Sequence, residues 1–262
     1  MPLSTQDLED LETAKALLEE PGLAARVASL IGMPVEKAIA SLPERWSEAV
    51  SSATHQSLQA ALRLAVTTLD DHPQSRASNV AHKLAVAATG AGGGAFGLAG
   101  LPVELPVSTT LMLRSIADIA RSEGEALGAP DAQLACLEVF ALGGRSSADD
   151  ATESSYFVVR AALARTVSEA ARYVAQRGIA EEGAPVLVRL LAQVASRFGL
   201  VVSQKAAAQA VPFVGAAAGG AINVLFMDHF QQLARGHFIV RRLERVHSPA
   251  EVRAAYEQLP TR

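Results

Sequence analysis

Glu104 stands between two prolines, Pro102 and Pro106, directly after a long run without a single charge. An ionisable group in apolar surroundings shifts in pKa, and such groups are enriched at functional sites. The plainer role for it is to cap the following helix or to pair with an arginine. Asn223 shares a helical face with Phe230 and Ala234, which predicts a buried, hydrogen-bonded amide. Asp228 and Arg235 lie seven apart on another face, with Gln231 and Gln232 alongside, as an ion pair in a crevice or at a surface would. His229 and His237 are eight apart, which is not the spacing of a helical metal pair. With no H-E-x-x-H and no C-x-x-C, a metal centre is not expected. Arg114, Asp118, Arg121 and Glu125 form a polar line spaced for pairing one turn apart. No G-x-S-x-G occurs, and Cys136 sits mid-helix near Leu134 and Leu137, where a thiol is buried and inert. These groups name no reaction.

Two charge-free stretches must position them. One runs from Leu84 to Val103 and the other from Ala206 to Met227. Each is long enough to cross a bilayer as a helix, yet each is built mainly from alanine and glycine, which gain little from insertion. Residues 92–97 (GGGAFG) match G-x-G-x-x-G, but the dinucleotide fold needs a preceding strand, and a proline break follows instead. No G-K-[ST] follows either, so no phosphate loop and no cofactor is expected. The competing reading is helix packing: Gly90 with Gly94, Gly93 with Gly97, and Gly215 with Gly219 each place small residues four apart. Glycine costs about 1 kcal/mol against alanine inside a helix, so this density implies a close contact or a bend. A buried hairpin in a soluble bundle and a re-entrant or peripheral membrane element both fit.

The rest reads as amphipathic helix. Ser4 and Asp7 resemble a capping box, and helical spacing then runs to Pro21-Gly22. A short helix over 23–31, one opened by Pro34, and a long one from Pro43 to about Leu69 follow. Beyond the first stretch, helices are predicted over 108–123, 133–142, 152–177 and 185–198, the last stopping at Gly199. A continuous pattern runs from Ile222 to about Val246, and Ser248-Pro249-Ala250-Glu251 opens a final helix. No sustained period-two alternation appears, so the fold is all-α. It divides into an N-terminal helical region (1–74) and a helical core (75–262), packed as one unit.

Of the 262 residues, half are hydrophobic and 19% are charged, with a net charge of −4. That balance gives no general attraction to nucleic acid. The single cysteine suits a reducing compartment, and the acidic N-terminus is not a secretory signal, so a cytoplasmic setting is expected. The segment RGHFIVRRLER (235–245) carries Arg235, Arg241, Arg242 and Arg245 with His237 among apolar residues. It fits either an anionic membrane surface, at about 1 kcal/mol per basic side chain, or a solvated face with Glu244 as counter-charge.

The segments TGAGGGAFGLAGLPVELPVSTTLMLRSIADIARSEGE (89–125), LEVFALGG (137–144), YFVVRAALA (156–164) and 197–245 resemble the EcsC family. The resemblance covers about Ala81 to the C-terminus. The first block is similar, more distantly, to a helical membrane-associated domain appended to some bacterial GTPases. The resemblance implies a bacterial, helical accessory protein with no assigned activity and supplies no catalytic residues. The leading expectation is therefore a non-enzymatic protein at the inner face of a membrane, meeting anionic lipid or a membrane protein. The alternative is a soluble bundle holding a small hydrophobic ligand near Glu104 and Asp228/His229.

Overall fold

Eleven consecutive residues, Ala132 to Leu142, are buried, which a helix achieves only when other helices surround it. The computed structural model describes residues 3–19, 23–32, 34–40, 44–69, 83–88, 97–144, 155–178, 183–210 and 216–260. Every regular element among them is helical: α1 (Thr5–Glu19), α2 (Leu23–Ile31), α3 (Val35–Ala40), α4 (Glu44–Thr68), α5 (83–88), α6 (Leu101–Ser122), α7 (Pro130–Leu142), α8 (Ser155–Arg177), α9 (Pro185–Ala210), α10 (Ala216–Val246) and α11 (Pro249–Gln258). A 3-10 turn, Gly97–Gly100, leads into α6. The all-α expectation is met. The central helix is α7, with α4, α6, α8, α9 and α10 packed round it. Phe140 of α7 meets Phe198 of α9 and Phe230 of α10, with ring centroids 5.0 and 5.2 Å away, and all three rings are fully buried. Such pairs add roughly 1 kcal/mol each beyond their area.

Helix ends follow the sequence where capping chemistry sets them. Ser4 and Asp7 bond reciprocally (backbone N of Ser4 to Asp7 Oδ2, 2.9 Å; backbone N of Asp7 to Ser4 Oγ, 3.2 Å). Ser248 and Glu251 form a full capping box before α11. Other boundaries differ from expectation: α7 starts at Pro130 and α10 at Ala216, three and six residues early, and α6 and α9 differ more. Helix α6 begins at Leu101, so Pro102 falls in the first turn, where no intrahelical N–H is needed, and Pro106 lies inside the helix. The prolines do not break the chain, and Glu104 is a first-turn residue of α6. Helix α9 runs straight through Gly199 to Ala210. A Cβ at Gly199 would meet nothing within 4 Å, so this glycine makes no close approach. Gly199→Ala is therefore expected to raise stability by about 0.5–1 kcal/mol in urea denaturation.

Helix α9 is long and apolar enough to cross a membrane, by length and composition. Two of its cations are used internally, Arg197 Nη1 donating to Gly144 O at 3.0 Å and Lys205 fully buried against α6, while the exposed Arg189 reaches Glu169 at 3.5 Å. It is a core helix. Helices α6 and α10 lie side by side and run the same way. Their ties join Glu104 to Asn223, Ser115 to Gln231, Glu123 to Arg242 and Glu125 to Arg241, at sequence separations of 119, 116, 119 and 116. Across the other face of α10 lies α1, where Gly236 lets the helices meet: a Cβ there would stand 2.9 Å from Ala14 O. Lys15 Nζ donates to the carbonyls of Tyr256 (3.1 Å) and Leu259 (2.7 Å), clasping α1 to the end of the chain.

Candidate functional site

Glu104 closes the first charge-free stretch and Lys205 opens the second, and the fold brings these two charges together. Lys205 Nζ lies 2.6 Å from Glu104 Oε2, with side-chain exposures of 0% and 3%. The approach is close but poorly aligned for a hydrogen bond, so the contact is chiefly one of charge on charge. Asn223 Nδ2 donates to Glu104 Oε1 at 2.6 Å and to the Val86 carbonyl at 3.2 Å. The Lys205 ammonium also stands 5.4 Å from the Phe226 ring centroid. Four elements, α5, α6, α9 and α10, thus converge on one dry ion pair. Burial pushes the Lys205 amine below its ordinary range, and the Glu104 carboxylate offsets part of that. One turn beyond Lys205, both amide atoms of Gln209 are buried without a hydrogen-bond partner among the described residues, as are Asn223 Oδ1 and Thr109 Oγ1. The arrangement is a polar knot closed to solvent at the ends of three apolar helices. It holds the helices in register, with both charged side chains of the pair buried.

The other sequence-predicted residues scatter. Asp228 pairs with Lys83 Nζ (2.6 Å) and Arg26 Nη1 (3.1 Å), and Arg26 also reaches Gln232. It pins α2 and α5 to α10, and its partners are not Arg235, which is exposed two turns away. His229 faces the end of α7, with Nε2 3.4 Å from Gly143 O. His237 is fully buried, its Nδ1 3.0 Å from the Tyr156 hydroxyl, and burial drives its pKa well below the usual imidazole value. Arg114 is exposed, while Asp118 pairs with Arg121 at 2.8 Å. The sequence pairing of Arg121 with Glu125 does not form the end of that line, because Glu125 takes Arg241 and Arg245 instead. Cys136 is buried, its thiol pushed up to about 12 by desolvation, as an inert core thiol should be.

Of the arginines of 235–245, Arg235 is exposed and the other three pair within the protein. Arg241 binds Glu125 (2.8 Å) and Asp131 (3.0 Å), and Arg242 binds Glu123 (2.9 Å) and Asp10 (2.8 Å). Arg245 contacts Glu125 and the Glu123 carbonyl. Glu244 is held by Arg160 through two bonds of 2.8 and 2.9 Å, so it is not the counter-charge of a solvated face. Arg241, Arg242 and Arg245 brace α10 against α1, α7 and the end of α6, and the reading of Glu244 as their counter-charge is corrected.

Of the packing glycines, Gly90, Gly93, Gly94 and Gly215 lie outside the described residues. Gly97 opens the 3-10 turn, and Gly219 is buried in the first turn of α10. The close approaches seen are at Gly143, Gly144 and Gly236. Sequence reasoning missed these because none has a partner glycine four residues away. It missed Lys205 for a different reason, having weighed each charge-free stretch alone. The opposite signs of the charges bordering them were the available clue.

Neither a curated protein nor a solved structure is found to match this chain. A family model for the EcsC protein family matches residues 5–243, which takes in the N-terminal helices that the quoted segments left out. The chain belongs to the EcsC family.

Proposed function

We propose that this EcsC-family protein is a non-enzymatic accessory protein that rests on the cytoplasmic face of a membrane through its apolar end. The observation that carries the reading is a set of large apolar side chains left in solvent where the first charge-free stretch enters and leaves. Leu84 is 68% exposed, Val103 75% and Val107 47%. Val103 and Val107 lie one turn apart on the outer face of α6, with exposed Pro102 beside them. Beneath them the Glu104–Lys205 pair is sealed from water, so this end presents apolar surface outward and keeps its charges inward. Exposed apolar patches of this kind mark interaction sites.

Because Arg241, Arg242 and Arg245 are paired internally, the attraction is apolar, not electrostatic. The protein is expected to float with neutral phosphatidylcholine liposomes, and to do so equally in low and high salt. Burying these side chains contributes about 3 kcal/mol, so the Val103→Asp/Val107→Asp variant should bind roughly 100-fold more weakly while folding normally. Wild type that stays at the bottom of the gradient, or binding that vanishes in salt, would overturn the reading.

A further inference from the structure

About 30 Å along α10 from Asn223, at the other end of the bundle, α7, α8, α10 and α11 enclose a cleft of about 510 Å³. That volume lies within the range of small-molecule sites. One wall is the α8 face bearing Phe157, Ala161, Ala164 and Ser168, whose small side chains leave the space open. Pro249 and Ala250 at the start of α11 stand among the residues that border it.

Every charged group in the lining but one is matched. Arg160 is bound bidentately by Glu244, Arg241 by Glu125 and Asp131, and Arg253 by Glu257 at 2.8 Å. The exception is Glu138 of α7. Its side chain lines the cleft, is 6% exposed, and has no hydrogen bond or ion pair among the described residues. A buried carboxyl without a partner is costly to keep, and the group that offsets the cost is one that brings charge or hydrogen bonds to it.

We propose that this cleft is a binding site for a small organic cation, an alkyl or aryl amine whose ammonium pairs with Glu138 and whose apolar body lies along Phe157 and Ala161. An anion is disfavoured, because the three arginines are already engaged and Asp131, Glu138 and Glu244 would repel it. The site is independent of the membrane-facing end and shares no residue with it.

The groups facing Glu138 set its behaviour with pH. Asp131 lies on its own helix, Arg160 and Tyr156 on α8, Arg241 and Glu244 on α10, and Arg253 on α11. None of the titratable groups lining the cleft comes from α4, α6 or α9. Desolvation lifts the carboxyl to about 7, against the pull of Arg160 and Arg241. An amine prefers the ionised carboxylate, so its affinity rises as pH passes upward through 7.

Titration calorimetry with hexylammonium and with its carboxylate counterpart heptanoate, at pH 6 and pH 8, tests this. Hexylammonium is expected to bind about tenfold more tightly at pH 8, and Glu138→Gln to abolish the binding. Heptanoate binding that strengthens at pH 6 would replace the cation with an anion and overturn the assignment. Binding of neither probe would overturn the site. Folding of the variant is checked by its melting. A carboxyl whose folded pKa is raised loses stability as pH climbs from the ordinary carboxylate value to about 7. Glu138→Gln should therefore melt above wild type by a margin that widens from pH 5 to pH 8. A margin that does not change with pH would show that Glu138 is not the unpartnered buried acid the site requires.

Discussion

Lys205→Met is expected to cost about 3–5 kcal/mol of stability, measured by urea denaturation, because it leaves the Glu104 carboxylate buried with no counter-charge. The magnitude follows from the burial: both side chains are almost wholly removed from water, so no solvent enters to take the lysine's place. The partner substitution separates this cause from lost packing. Glu104→Leu combined with Lys205→Met removes both charges at similar volume, and such replacements of buried pairs are often neutral. The double variant should recover to within about 1 kcal/mol of wild type. Asn223 keeps its bond to the Val86 carbonyl in that background, so one of its two contacts survives. A double variant as unstable as the single would show that the pair contributes shape and not charge.

Gly144→Ala is the second large effect. A Cβ at this position would stand 2.2 Å from the carbonyl oxygen of Arg197 and 2.7 Å from its carbonyl carbon. Those are backbone atoms in the middle of α9, so no side-chain rotation relieves the clash, and the end of α7 must move away from α9. The Arg197 guanidinium donates back to the Gly144 carbonyl, and that bond would be strained with it. A loss of about 3 kcal/mol is expected, at the upper end for overpacking, which corresponds to a fall of roughly 6–12 °C in Tm. Gly199→Ala on the same α9 is the matched control, since that site has open space and the opposite sign is expected. Equal melting temperatures for the two variants would mean that α7 and α9 approach less closely than this packing requires.

These cases mark how far the sequence reaches. Helix ends fixed by local chemistry, such as Ser4 with Asp7 and Ser248 with Glu251, were legible because donor and acceptor lie three residues apart. The ends of α6 and α9 were not, because proline in a first turn and glycine in a long helix are tolerated whenever packing outweighs their local cost. Glu104 and Asn223 were legible as buried polar groups from their apolar surroundings alone. Their partnership was not, nor was Lys205, since the bond spans 119 residues and depends on how α6 and α10 lie side by side. The basic look of 235–245 misled for the same reason. Its neutralising carboxylates come from α1, from α7 and from the end of α6, far away in sequence.

The alignment of α6 with α10 also sets an order of events during synthesis. The ties along it join residues 116 to 122 positions apart, so α6 is complete long before any of its α10 partners exists. At roughly 5–20 residues per second, Glu104 waits about 6–24 s for Asn223 to be made. Complete burial of that carboxylate therefore belongs to the late steps of synthesis, after both Lys205 and Asn223 have been made.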